Sequence, residues 1–274
     1  MGQCTKIEWA THTFNPWWGC VKVSEACKNC YAETFARRLG QQVWGPGAQR
    51  RTFGDAHWSE PIKWNTRLDA EGGRERVFCA SMADVFEDRR DLDSHRERLW
   101  DLIAKTPRLD WLLLTKRPDI VRQLTPWGEA WPENVWIGTT VENQLRAEER
   151  LARLAEIPAT VRFISAEPLL GPVDLSRWMS SLHWVISGGE SGPRARPASP
   201  AWFRNLHLQC MAHEVPFHFK QWGDWAPGDG ENLARCRTRA AADGTPMVRI
   251  GKKRAGRSLD GRVFDELPAG AAAR

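Results

Sequence analysis

The sequence has no long apolar run, and it contains a single tyrosine against sixteen tryptophans. A helix that crosses a bilayer needs about 20 consecutive apolar residues, so we expect no membrane association. The first residues, Met-Gly-Gln-Cys-Thr-Lys, lack the apolar core of a secretion signal, and we expect a cytoplasmic protein. Disulfides are rare in that compartment, so the seven cysteines do not predict a disulfide framework.

The chain also lacks a strong charge of either sign. Its formal net charge of +5 permits a phosphate-bearing partner but does not require one. The length of 274 residues allows one large domain or two small ones. Tryptophan builds cores more often than sites, so we expect most of the sixteen to serve packing.

Short apolar segments alternate with amphipathic helical segments from about residue 77 onward. Six segments are predicted as strands buried on both faces of a parallel sheet: Arg76–Met82, Asp110–Thr115, Asn134–Thr140, Thr160–Ser165, His183–Ser187 and Pro216–Lys220. Helices are predicted at Tyr31–Leu39, Ser94–Lys105, Asp119–Leu124, Asn143–Glu156 and Pro200–His213. With a further strand around Lys6–Thr11, repeated βαβ units predict an α/β fold.

Polar residues follow nearly every predicted strand, which favours a partial or complete TIM-like barrel over a doubly wound open sheet. In a barrel, the carboxyl ends of all strands converge on one face, whereas an open sheet concentrates such residues at its switch point. We predict a barrel over residues 1–227, with an irregular insertion at about 40–73 near its mouth. Residues 228–274 are predicted to form a small basic appendage with a frayed end at Ala269–Arg274.

Three cysteines, Cys20, Cys27 and Cys30, fall within eleven positions between the first predicted strand and helix. Thiolates are ligands for iron–sulfur clusters and for zinc. Structural clusters use four cysteines, so three cysteines favour a [4Fe–4S] cluster with one open iron. The alternative is a zinc site completed by Cys4 or His12. Cys79, Cys210 and Cys236 are interpreted as ordinary thiols.

The cysteine segment and later motifs resemble a three-cysteine family, common in bacteria and phages, that is related to the radical S-adenosylmethionine enzymes. The similarity covers nearly the whole chain. It is carried by Gly19-Cys20, Cys27-Lys28-Asn29-Cys30-Tyr31-Ala32-Glu33, Ser81-Met82-Ala83-Asp84, Leu114-Thr115-Lys116-Arg117-Pro118, Val141-Glu142-Asn143-Gln144, Glu167-Pro168-Leu169-Leu170, Gly188-Gly189-Glu190-Ser191, Phe219-Lys220-Gln221-Trp222 and Gly251-Lys252-Lys253. Two features depart from the superfamily pattern, namely the six residues between Cys20 and Cys27, and Asn29 in place of an aromatic residue.

The resemblance implies that S-adenosylmethionine binds the open iron and is cleaved reductively to a 5′-deoxyadenosyl radical, which abstracts hydrogen from a substrate. It also implies an electron donor such as flavodoxin or ferredoxin. Ser81 and Asp84 are then expected near the cofactor's amino group, and Thr140 and Glu142 near its ribose. Further cofactor-binding candidates follow the next two strands: Ser165, Glu167, Gly188, Gly189 and Glu190.

Lys116, Arg117 and Lys220 are expected to bind the cofactor carboxylate or a substrate phosphate, in preference to neutralising the carboxylates at the same rim. The basic tail, this cationic rim and the family's occurrence in phages suggest a nucleotide or nucleic acid as substrate. A competing hypothesis is a non-catalytic, zinc-binding nucleic-acid-binding protein. His12, close to the cysteines in sequence, is expected to tune the metal site through a hydrogen bond.

Overall fold

A computed structural model of the chain describes residue 5, residues 7–228 and residues 236–269. The strands are β1 (His12–Thr13), β2 (Trp17–Trp18), β3 (Arg51–Thr52), β4 (Glu75–Cys79), β5 (Leu109–Thr115), β6 (Val135–Thr140), β7 (Arg162–Ala166), β8 (Trp184–Gly188), β9 (Phe217–Gln221), β10 (Trp225–Pro227), β11 (Arg237–Ala240) and β12 (Pro246–Arg249). The α-helices are α1 (Tyr31–Arg38), α2 (Asp55–Trp58), α3 (Glu60–Glu71), α4 (Asp93–Ala104), α5 (Val121–Leu124), α6 (Gln144–Ala155), α7 (Pro200–Ala212) and α8 (Lys252–Ala255). Short 3₁₀ helices lie at Glu25–Asn29, Arg90–Leu92, Pro118–Ile120 and Met179–Ser181.

Seven parallel strands form the main sheet in the order β1-β4-β5-β6-β7-β8-β9. The order follows the chain, without the reversal that defines a doubly wound sheet. The sheet curls into a barrel that is only partial, because β9 and β1 do not pair in the described part of the chain. The predicted α/β barrel class is therefore confirmed in its partial form.

The six later strands lie where the sequence predicts them, within two residues at each end, except that β4 ends at Cys79, three residues before the predicted Met82. The first strand is misplaced by the prediction around Lys6–Thr11, because the sheet pairing is made by His12–Thr13. Lys6 itself lies outside the described residues. Trp9 and Ala10 instead pack into the barrel interior, so the apolar signal before residue 12 reflects core burial rather than a strand.

The side chains of each central strand alternate between two cores. In β5, Trp111 and Leu113 join the large core under the outer helices, whereas Leu112 joins a smaller core inside the barrel. Trp9, Trp136 and Trp184 contribute much of this inner core. Thirteen of the sixteen tryptophans are buried, which confirms their expected packing role.

The segment 40–73 differs from the irregular insertion predicted for it. It contains α2 and the twelve-residue helix α3, and it buries Trp58, Trp64 and Leu68 in the large core. The sequence shows no clear period here because the helical stretch is short and a proline, Pro61, stands in its first turn. This segment supplies the crossover helix between β1 and β4.

The last three strands form an antiparallel sheet, β10-β12-β11, followed by α8, and its first strand, β10, lies just before residue 228. A later stretch lies against the free edge of β9, where the Phe219 N–H donates to the Phe264 carbonyl at 2.9 Å. Phe264 and Leu259 are part of the large core. The boundary at 227/228 stays a prediction, and most of the stretch predicted to fray lies outside the described residues.

Among the described residues, no helix combines the length and apolarity needed to cross a membrane.

Gly138, in the middle of β6, tests the packing of the barrel interior. A Cβ at this position would lie 2.5 Å from the ring of Phe163, which is fully buried. We expect Gly138→Ala to lower the free energy of unfolding by about 1–3 kcal/mol, because overpacking displaces a buried ring. Gly47→Ala is the control, since its Cβ would meet no atom within 4 Å. Equal urea midpoints for the two variants would contradict this packing.

Candidate active site

A cavity of about 470 Å³ opens at the carboxyl ends of the parallel strands. Its floor includes Trp9, Phe78 and Leu114 from the inner core, and its wall includes the loop that carries the three cysteines. Ser81, Asp84, Lys116, Arg117, Thr140, Ser165, Glu167, Gly189, Glu190 and Lys220 line it together with Cys20, Cys27 and Cys30. The polar residues after successive strands thus share one cavity, as expected for a barrel.

The cysteine loop begins at Gly19, whose backbone requires glycine. Its φ of +119° lies in the left-handed region, and a Cβ would come within 2.2 Å of the Val43 carbonyl oxygen. The Gly19 N–H donates to the Met82 carbonyl at 3.0 Å, which ties the loop to the segment after β4. The chain then forms the 3₁₀ helix Glu25–Asn29 and enters α1 directly after Cys30.

The thiols of Cys20 and Cys30 are partly buried in the cavity wall. Burial, reinforced by the Asp84 carboxylate and opposed by Arg117, raises the pKa of Cys20 to about 12. Burial also raises the pKa of Cys30, against hydrogen bonds from backbone N–H groups at the start of α1. Thiols in this state need a bound cation to become thiolates at neutral pH, because a coordinated thiol is deprotonated outright.

The three thiols line one cavity. Within the described ranges, no three His, Cys, Asp or Glu side chains converge closely enough to hold one metal ion. The described residues therefore show no closed tetrahedral zinc site of the kind that gathers thiolates at about 2.3 Å around one centre. Cys4, one alternative zinc ligand, lies outside the described residues.

His12, the other alternative ligand, is not among the lining residues of the cavity. Its Nε2 lies 2.7 Å from Glu75 Oε2, and its ring stacks on Trp64 with centroids 4.0 Å apart. Burial lowers the pKa of His12, against the opposing effect of Glu75. The expected role of His12 beside the cysteines is therefore wrong, because its partner stands at the start of β4 and not at the carboxyl end.

Asp84 and Arg117 form an ion pair next to Cys20. The Arg117 Nη1 lies 2.8 Å from Asp84 Oδ2 and 3.9 Å from the Cys20 sulfur, and its Nη2 donates to the Val21 carbonyl at 2.9 Å. Asp84 also accepts hydrogen bonds from Phe86 N, Thr115 Oγ1 and Lys116 N. Asp84 is thus fully engaged by protein donors, and Arg117 contacts the cysteine loop directly.

Glu190 holds the middle of the cysteine loop. Its carboxylate accepts from Asn29 Nδ2 at 3.1 Å and from Arg196 through Nε at 2.8 Å and Nη2 at 2.6 Å. The Arg196 Nη2 also donates to the Glu25 carbonyl at 3.1 Å. Asn29, which lies between Cys27 and Cys30, is therefore held in place by Glu190, a residue that follows β8.

A second contact holds the other side of the same turn. Burial opposes ionisation of Glu25, but hydrogen bonds from its own backbone, Arg146 and Asn143 lower the pKa of this carboxyl to about 2. The Arg146 Nη2 lies 2.9 Å from Glu25 Oε2. Both Asn143 and Arg146 belong to the start of α6, so this helix also supports the loop.

Two of the predicted lysines differ in their partners. The Lys220 Nζ lies 2.7 Å from Glu167 Oε2, and Gln221 donates to Glu167 Oε1 at 2.8 Å. The Lys116 Nζ donates to Thr140 Oγ1 at 3.3 Å and, in the part of the chain described, forms no ion pair with a carboxylate. Lys116 is therefore a cation in the cavity without a neutralising partner.

Glu142 and Gly188 do not reach the cavity. The Glu142 side chain is fully buried, and its Oε2 lies 2.8 Å from Arg150 Nη1 on α6. Two residues past the end of β6, the chain has turned this side chain toward the helix. Gly188 lies under Glu167, since a Cβ there would be 3.3 Å from the Glu167 Cδ. Of the thirteen other predicted site residues, all line the cavity.

Several lining residues lie outside the predicted set, including Asn29, Tyr31, Gln221 and Lys252. Tyr31 donates from its hydroxyl to the Ser81 carbonyl at 2.7 Å. Each of these four residues lies in one of the motifs that carry the family resemblance. Membership of a motif was therefore the sequence signal that could have identified them as site residues. Cys79 and Cys210 are buried thiols whose pKa is raised by burial, as ordinary core cysteines would be.

The fold and the site together define a partial α/β barrel with a three-cysteine loop at the carboxyl ends of its strands. A family profile described as "Protein of unknown function (DUF5131)" matches residues 4–268, and the chain belongs to that family. No curated protein matches the sequence.

The fold is similar to solved structures of spore photoproduct lyase. One variant aligns with a TM-score of 0.49 at 11% identity, over 92% of this chain and 72% of that chain. A complex with dinucleoside spore photoproduct gives a TM-score of 0.46 at 11% identity, over 92% and 72%. A variant with bound AdoMet and the same dinucleoside gives 0.45 at 12% identity, over 88% and 68%. At such low sequence identities, the similarity concerns the fold alone.

Glu190→Ala tests the support of the cysteine loop. We expect faster hydrogen exchange in residues 24–30, because Asn29 and Arg196 lose their shared acceptor. Glu60→Ala, which removes an exposed ion pair with Lys63, should leave this segment unchanged. The comparison is made by hydrogen-exchange mass spectrometry, and unaltered exchange in the Glu190 variant would mean that Asn29 does not depend on Glu190.

Proposed function

We propose that the protein is a radical S-adenosylmethionine enzyme that holds a [4Fe–4S] cluster on Cys20, Cys27 and Cys30. The observation that carries this proposal is that three thiols from one loop line the same cavity as the polar residues after successive parallel strands. A structural metal site would not need such a cavity, whereas a reaction site at this end of a barrel does.

The donor set fits such a cluster. Three thiol ligands would leave one iron of such a cluster without a protein ligand, and all three thiols line the same cavity. When bound, the cluster supplies an open iron that chelates the amino and carboxylate groups of S-adenosylmethionine and an electron that cleaves its sulfonium. The remaining roles belong to the chain's own side chains.

Lys116 is suited to bind the carboxylate of S-adenosylmethionine, because it lines the cavity directly after β5 and forms no ion pair with a carboxylate among the described residues. The hydroxyls of Ser81, Thr140 and Ser165 line the same cavity and can donate to and accept from a ribose. Gly189 lines the cavity, and its lack of a side chain is required by the neighbouring backbone, because a Cβ there would lie 1.9 Å from the Trp222 carbonyl oxygen.

Asp84 and Glu190 act in this proposal as positioning residues. Asp84 orients Arg117 beside Cys20, and Glu190 orients Asn29 between Cys27 and Cys30. This replaces the expectation that both carboxylates bind the cofactor, because protein donors already occupy their oxygens. Glu167 accepts two hydrogen bonds, one on each oxygen, from Lys220 and Gln221, whereas Asp84 and Glu190 each accept four, so it keeps its place in the cavity as a candidate cofactor ligand.

The proposed substrate is a nucleotide or nucleic acid, and the proposed electron donor is a flavodoxin or a ferredoxin. The alternative function, a zinc-binding nucleic-acid-binding protein without catalysis, predicts colourless protein with one zinc ion. It makes no use of the cavity, and the experiments below separate the two.

Cys27→Ala tests the metal site against Cys210→Ala, a cysteine of α7 outside the cavity lining. Anaerobically prepared protein should be brown and contain about four irons per chain. We expect Cys27→Ala to lose iron and the absorption near 400 nm, and Cys210→Ala to retain both.

With dithionite, the unaltered protein and Cys210→Ala should release 5′-deoxyadenosine from S-adenosylmethionine. Colourless unaltered protein with one zinc would favour the alternative, and a fully loaded protein that yields no 5′-deoxyadenosine would exclude the radical chemistry.

Arg117→Gln tests the cation beside Cys20. Removing a positive charge 3.9 Å from a ligand sulfur should make the cluster's reduction potential more negative, because the reduced cluster carries more negative charge. Arg117→Lys, which keeps the charge, should shift the potential less. Redox titration followed by electron paramagnetic resonance measures both. Equal potentials in the two variants would show that the charge does not act on the cluster.

A further inference from the structure

The outer side of α1 carries an exposed apolar stripe. Tyr31, Phe35 and Leu39 follow one another at intervals of four residues, which places them along one side of the helix and its end. Their exposed fractions are 58%, 46% and 51%. Soluble proteins rarely expose contiguous clusters of large apolar side chains, so such a cluster indicates a binding surface.

The stripe begins at the cavity and continues away from it. Tyr31 lines the cavity, and the Phe35 ring packs beside Trp18 with centroids 6.0 Å apart. The Arg51 guanidinium lies over the same Trp18 ring at 4.8 Å and over Phe53 at 5.5 Å. Aromatic faces and a guanidinium are thus combined on one surface next to the mouth.

Exposed cations without carboxylate partners are carried by the segments around the cysteine loop and by the appendage. On the side of the cysteine loop and α1 they are Lys28, Arg38 and Arg51, and on the appendage they are Lys252, Lys253 and Arg254. All six are exposed, and none forms an ion pair within the described residues. Lys252 also lines the cavity, so the appendage contributes to the mouth although it lies more than two hundred residues after the cysteine loop in the sequence.

Two other cations of this region share one carboxylate. Lys22 and Arg37 both pair with Glu33 at 2.6 Å. The six exposed cations without ion pairs are therefore the ones most available to an anionic partner. The apolar stripe and these cations together define what we call the mouth surface.

We propose that the mouth surface binds single-stranded nucleic acid, with bases stacked on the α1 stripe and phosphates on the six unpaired cations. Aromatic side chains beside a positive groove are the recurring means of binding single strands, because every base has a stackable face. A duplex hides those faces, and an acidic polypeptide offers charge without them. The inference rests on the proposed function only in assuming that one nucleotide of the strand enters the cavity past Tyr31.

Binding can be measured with fluorescein-labelled single-stranded dT12 and rU12 by fluorescence anisotropy at several salt concentrations. Each phosphate neutralised on a single strand contributes about −0.7 to the slope of log affinity against log salt. We expect a slope of up to about −4 for six contacts, and a reduction of about 2 in a triple variant with Lys252→Gln, Lys253→Gln and Arg254→Gln. Lys105→Gln is the matched control, an exposed unpaired lysine just after α4, on the face opposite to the cavity.

Phe35→Ala tests the stacking part. We expect a loss of roughly 5- to 150-fold in affinity with little change in salt slope, because a base loses its stacking partner while the phosphate contacts remain. Leu208→Ala, which truncates an exposed apolar side chain on α7, should leave the affinity unchanged. If Phe35→Ala lowers the thermal midpoint, Leu39→Ser on the same stripe replaces it.

Three results would overturn the proposal. One is absence of binding by the single strands, another is equal affinity for a 12-base-pair duplex, and the third is equal competition by poly-L-glutamate. Because these measurements need neither the cluster nor S-adenosylmethionine, they fail independently of the enzyme proposal. Loss of 5′-deoxyadenosine formation with intact strand binding would instead refute the radical function alone.

Discussion

A carboxylate placed at the edge of a protein core must find a hydrogen-bond donor for each of its lone pairs, or its burial destabilises the fold. Asp84 meets this requirement with donors from its own turn, from the end of β5 and from Arg117. The ends of two neighbouring strands are thereby fixed to each other. Because Arg117 also bonds to the Val21 carbonyl, the same carboxylate sets the position of the cysteine loop over the barrel.

The architecture was predictable because its signal is local. Strands buried on both faces of a sheet give short apolar runs, and the carboxyl ends of parallel strands meet at one edge. The polar residues after the strands could therefore be assigned to one cavity from sequence alone. Glu142 is the informative exception. The sequence shows that it follows a strand, but the direction of its side chain depends on how the chain turns onto α6.

Contacts between distant segments were not predictable in the same way. Asn29 and Glu190 are 161 residues apart, and neither sequence context signals the other. Arg196 and Arg146, which complete the support of the loop, resemble many other arginines in this chain. The error over the first strand has a related cause, because Trp9 and Ala10 are apolar for packing inside the barrel and not for pairing in the sheet.

The position of the appendage has a consequence for how the protein is made. Lys252 borders the cavity, and residues near 264 cover the edge of β9. During synthesis, the cysteine loop leaves the ribosome more than two hundred residues before these last parts of the wall. The three thiols therefore exist in a half-built cavity until Lys252 has been synthesised, so the complete site arises only after more than two hundred further residues have left the ribosome.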